Sequence, residues 1–183
     1  MSGKGLVAVA GVAMALIGKS PVSAHPHIFI DTQVTVSFNA AGLADGVRLF
    51  WAYDDLTSLQ VTADRGFDAD FDGVLNDSED EALSGFDMYW DAGYEGDTYL
   101  YPGGTPVPLQ GPSDWSASYA NDLITSFHMS RFATPVAVDA ALLIVRVYDP
   151  SLYSEYFIVR EPILLGSSHC TTEIRKPDLV ASN

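Results

Sequence analysis

IFIDTQVTVSF, residues 28–38, decides the fold class. Ile28, Ile30, Val34, Val36 and Phe38 share one parity, and Asp31, Gln33, Thr35 and Ser37 the other. That two-residue period is the mark of a half-buried strand. Downstream, a turn at NAAGLADG (39–46) leads into VRLFWAY (47–53). Further runs rich in β-branched and aromatic residues stand at DTYLY (97–101), LITSFHM (123–129), ALLIVRVY (141–148) and EYFIVR (155–160), with CTTEIR (170–175) a weaker one. YPGGTPVPLQGP (101–112) reads as paired turns. These features predict a mainly β chain, an antiparallel β-sandwich-like domain.

Residues 54–93, approximately, break the alternation. Leu56, Leu59, Ala63 and Phe67 recur at helical spacing, as do Leu83, Phe86 and Trp90. Between them stands DADFDGVLNDSE (68–79). Calcium takes six to eight oxygen ligands, and a twelve-residue loop supplies them from positions 1, 3, 5, 7, 9 and 12, with glycine at 6. Here those positions are Asp68, Asp70, Asp72, the Val74 carbonyl, Asn76 and Glu79, with Gly73 at the turn. The stretch resembles an EF-hand, a helix-loop-helix inserted into the β domain. The competing reading is a solvated charge run. Four carboxylates in register with a glycine and helical flanks argue against it, because they repel one another without a cation. One loop, few methionines and a β-rich body point to structural Ca²⁺ rather than a sensor pair.

The first 24 residues read as a secretory signal: Lys4, the apolar run LVAVAGVAMALI (6–17), then Val22-Ser23-Ala24 as a cleavage site. Twelve apolar residues are too few for a bilayer core, which needs about 20. The expectation is a periplasmic or secreted single domain, 25–183, with no direct membrane insertion. Cleavage removes Lys4 and Lys19, leaving 7 basic against 24 acidic residues, a net charge of −17. Nucleic acid is therefore a poor partner, and cations are good ones. Cys170 is the sole cysteine, so no disulfide forms within the chain. It reads as a semi-buried thiol; a metal-ligand role beside His169 or an intermolecular disulfide is the alternative.

Cleavage before HPHIFID gives His25 a free α-amine beside its imidazole, with His27 two residues on. Neutral nitrogen donors suit Zn²⁺, Ni²⁺, Co²⁺ or Cu²⁺. Pro26 lacks an N–H, so a square-planar chelate through backbone amides is closed to it. The competing reading is a frayed terminus without function. Asp31, Asp54, Asp55, Glu155, His128 and His169 are candidate further ligands, although Asp54 and Asp55 serve equally well as helix N-caps and His128 as a sheet-face residue.

HPHIFID, LFWAYDDLTSL, the acidic loop and VRVYDPSLYSEYFI together resemble a bacterial domain family of unknown function. That family is described as the periplasmic component of an uncharacterised ABC-type transport system and is often encoded beside nickel/cobalt exporter-type proteins. Tyr148, Asp149 and Pro150 are among its most specific positions. The resemblance implies a metal-binding accessory of a zinc, nickel or cobalt transport system, with a membrane metal transporter as partner. Two other readings compete. One is a calcium-stabilised interaction or glycan-binding module, motivated by Tyr89, Trp90, Tyr94, Tyr99, Tyr101 and Trp115. The other is a copper enzyme with an N-terminal histidine brace. No GxSxG, HExxH or GxxxxGK[ST] stretch occurs, so the residues give no other catalytic reading.

Overall fold

The computed structural model describes residues 27–138, 142–166 and 169–176; the expected signal segment 1–24 and His25 lie outside them. The elements in chain order are β1 (Ile28–Phe38), β2 (Ala44–Tyr53), α1 (Asp55–Arg65), α2 (Asp77–Leu83), β3 (Thr98–Pro102), β4 (Leu109–Ala120), β5 (Leu123–Val136), β6 (Leu143–Val147), β7 (Ser154–Ile158) and β8 (Ile163–Leu165). Among the described residues the fold is mainly β, with two helices. One sheet runs β4-β5-β2-β1-β7, with β8 also on β1, and a separate ribbon pairs β3 with β6.

β1 keeps the predicted parity. Ile30, Val34 and Val36 are buried, and the fully buried Thr32 joins them on the inner face. The expectation of wholly antiparallel pairing is corrected. β1 pairs antiparallel with β2 but parallel with β7 and β8. The chain reaches β7 only after passing through β6 of the other sheet, and such a crossover lets two strands run the same way.

β4 and β5 form the long hairpin, joined at Asn121 and Asp122, both with positive φ (53° and 64°). Left-handed backbone at both turn residues matches the strand twist, and Asn and Asp tolerate it. β4 begins inside the Pro/Gly-rich stretch 101–112 that reads as paired turns. It is an edge strand with two register shifts, where a proline interrupts no essential ladder bond. CTTEIR forms no strand.

The inner sheet face, with Val47, Leu49, Trp51, Tyr53, Ile124 and Phe132, packs against Leu83, Phe86 and Met88 and against Leu100 of β3. The helical segment is shorter than expected: α2 ends at Leu83, so Phe86 and Trp90 lie in the turns that follow. Its first helix also faces the other way. Leu56 and Leu59 are 59% and 60% exposed, whereas Thr57, Ser58 and Thr62 are buried. One inward hydroxyl seats the helix on the sheet: Ser58 Oγ accepts from the Ile124 N–H at 2.9 Å, while Thr62 Oγ1 bonds within the helix, donating to the Ser58 carbonyl.

Candidate functional site

The acidic loop is wired from within. Asp68 accepts from the N–H groups of Asp72 and Gly73 at 3.2 and 3.0 Å, and Asp72 Oδ1 from that of Val74 at 2.8 Å. Gly73 has φ 79°, a conformation that a side chain would strain. Asn76 caps α2, its oxygen accepting from the N–H groups of Ser78 and Glu79. Glu79 closes the capping box with Oε2 on the Asn76 N–H at 2.9 Å and holds the start of the loop with Oε1 on the Ala69 N–H at 3.0 Å.

Carboxylate oxygens of Asp68, Asp70 and Glu79 lie within 4.8 Å of one another. Calcium–oxygen distances of roughly 2.3–2.6 Å place ligands on opposite sides of the ion about 5 Å apart, so this spread fits one coordination sphere. Of the six residues expected as ligands, these three converge. Asp72 Oδ1 and Asn76 Oδ1 accept from local N–H groups, as do the oxygens of Asp68 and Glu79, and Val74 would contribute its carbonyl.

His27 opens the described chain. Its N–H donates to the Tyr153 carbonyl at 2.7 Å, and its ring lies 5.0 Å from that of Tyr153. The loop holding Tyr153 is pinned by Asp149, whose carboxylate accepts from the Ser151, Tyr153 and Ser154 N–H groups and the Ser151 hydroxyl. Burial works to raise this carboxyl, but these donors outweigh it and hold it below its ordinary value. His27 and the loop anchored by Asp149 therefore meet in space. His27, Gln60, Asp64 and Tyr153 line one groove of about 410 Å³. Asp54 serves as the N-cap of α1 and also accepts from the Phe29 N–H at 2.9 Å.

A second polar group lies in the core and escaped sequence reasoning. Asp87 accepts from the hydroxyls of Tyr53 at 2.7 Å and Ser126 at 2.6 Å, and Asp97 from that of Tyr156 at 2.8 Å. His128, 1% exposed, meets Trp51 and Trp90 edge-on at 4.7 and 5.4 Å. Trp51 Nε1, Asp87 Oδ1, Asp97 Oδ1 and His128 Nδ1 have no partner among the described protein atoms. Burial pushes the carboxyls of Asp87 and Asp97 up, against the pull of the hydroxyls they accept, and pushes His128 down to about 4. The available signal was two aspartates interrupting the aromatic runs GFDMYW (85–90) and GDTYLY (96–101).

A family model described as "Protein of unknown function (DUF1007)" matches residues 10–183. The chain belongs to the DUF1007 family. No curated protein and no solved structure matches it. No helix among the described residues of this DUF1007 protein is long and apolar enough to cross a membrane.

Proposed function

We propose that this DUF1007 protein is an exported metal-binding accessory, holding Ca²⁺ in loop 68–79 as a structural ion and taking Zn²⁺, Ni²⁺ or Co²⁺ at His25 and His27 in the service of a membrane metal transporter. The observation that carries the metal reading is the convergence of Asp68, Asp70 and Glu79 within 4.8 Å, a spacing one calcium ion can span. Bound there, the ion would offset two of the loop's negative charges and tie α1 to α2 in an EF-hand-like unit. Support for the second metal is the fixing of His27, by its own N–H, at the mouth of a groove that also holds Asp64. A carboxylate and an imidazole are a donor set for a divalent transition metal, and Arg65, which lines the same groove, is engaged with the Phe86 carbonyl.

The test is calorimetric titration of calcium-saturated protein beginning at His25, against Zn²⁺, Ni²⁺, Co²⁺ and Cu²⁺, beside a form carrying one extra residue before His25. Binding of one ion that weakens at least about tenfold in the extended form supports the site. Equal affinities overturn the terminal site. Silence from all four ions leaves a calcium-stabilised interaction module. Copper binding with oxidase activity would favour the histidine-brace enzyme, which must find its further histidine elsewhere than at His128, buried between Trp51 and Trp90.

A further inference from the structure

The segment following α2 builds a cleft of about 460 Å³ that neither metal site uses. Its size lies within the roughly 300–1,000 Å³ of small-ligand sites. Tyr89, Trp90 and Tyr94 wall it. Tyr89 is 90% exposed and Tyr94 44%, so both present ring surface to solvent. Trp90 is held rigidly: its Nε1 donates to the Asp87 carbonyl at 2.8 Å, and its ring meets Tyr94 edge-on at 5.4 Å. It also lies over Gly96, where an added Cβ would fall 2.1 Å from the indole. A ring fixed in this way loses little freedom when a ligand stacks on it.

The polar groups are of both signs. Arg65 stands at one side, its Nη1 donating to the Phe86 carbonyl at 2.8 Å and its guanidinium over the Phe86 ring at 5.7 Å. Asp91 and Asp87 also line the cleft. Asp87 Oδ2 is taken by Tyr53 and Ser126, and Oδ1 is buried with no partner among the described residues, so the exposed Asp91 is the carboxylate open to a ligand. A small cation would meet Arg65 and an anion the two aspartates. A neutral polyhydroxylated ligand is opposed by neither, donating to Asp91, accepting from the guanidinium and laying its C–H face on the rings.

We propose that this cleft is a binding site for a short neutral saccharide. The site draws on no metal ligand and stands whether or not the metal reading holds. The test is a glycan array probed with the exported chain in calcium, followed by titration of the best neutral oligosaccharide by tryptophan fluorescence, with putrescine and an oligogalacturonate as charged controls. Tyr89→Ala and Arg65→Gln alter exposed side chains. Each is expected to weaken binding at least about tenfold while thermal unfolding of Tyr89→Ala is unchanged. The site is overturned by no neutral glycan binding at about 10 mM, by affinity that survives both substitutions, or by preference for either charged control.

Discussion

The proposed calcium site would give Glu79 two jobs, which a pair of substitutions separates. Without metal, its two oxygens accept from the Asn76 and Ala69 N–H groups at 2.9 and 3.0 Å. Glu79→Gln keeps one acceptor and turns an amide NH₂ toward the other N–H, at a cost of about 1 kcal/mol, the usual worth of a cap. Asp70 carries almost none of this burden: its only bond within the loop is a long one, 3.4 Å from the Asp72 N–H. Asp70→Asn therefore leaves the metal-free protein unchanged or slightly more stable, since one repelling charge is gone. Calcium at about 100 times its Kd stabilises the folded state by about 2.7 kcal/mol. In a domain of this size 1 kcal/mol moves Tm by about 2–4 °C, so wild type gains about 5–10 °C. The assay is thermal unfolding in EGTA and in calcium. Wild type gains the full increment. Asp70→Asn loses most of it from an unaltered baseline, and Glu79→Gln loses it from a baseline about 2–4 °C lower. A calcium increment intact in Asp70→Asn, or a Glu79→Gln deficit equal with and without calcium, would refute ligation and leave a capping box on an acidic surface.

Burial holds the His128 pKa at about 4, below the unfolded value near 6.5, so the unfolded chain binds the extra proton first and stability falls as pH drops from about 6.5 to 4. Asp87 and Asp97, whose folded pKa values are raised, act oppositely, their contribution being lost as pH rises through those values. His128→Phe should flatten the acid-side decline, worth of order 3 kcal/mol, in urea unfolding across that range; an undiminished slope would place its source elsewhere. Ser58→Ala strands the buried Ile124 N–H and should destabilise by about 1–3 kcal/mol, read by the same unfolding. Gly96→Ala drives a Cβ into the Trp90 ring at a φ of +65° and should lower Tm and shift tryptophan emission, while the change at Gly104, with nothing within 4 Å, should leave emission unmoved.

Parity made β1 legible because one of its faces is buried and the other wetter, whereas β2 and β5 were legible from their β-branched and aromatic content. β4 was not legible: an edge strand with bulges can carry Gly111 and Pro112, so the local chemistry of a turn coincides with that of an edge. α1 was legible in existence but not in orientation. Its leucines suggested the buried face, yet the helix satisfies the Ile124 N–H through Ser58, and the hydroxyl residues had to turn inward to do so. The acidic loop could be read residue by residue because its donors are close in sequence. The buried carboxylates could not: Asp87 meets Tyr53 and Ser126, and Asp97 meets Tyr156, across separations of 34, 39 and 59 residues that only the tertiary fold closes.

The ends of the acidic loop are joined before any ion arrives. Arg65, at the last turn of α1, reaches the Phe86 carbonyl beyond α2, and Leu83 is fully buried in the core cluster. Ser58 locks α1 to β5. A bound calcium would thus meet helices already seated on the sheet. It could relieve repulsion among Asp68, Asp70 and Glu79, but it has no apolar groove to open, since the leucines of α1 already face solvent. That geometry favours a structural ion over a sensor. Because Arg65 also forms one side of the aromatic cleft, the clamp that closes the loop and the side chain offered to a ligand are the same group.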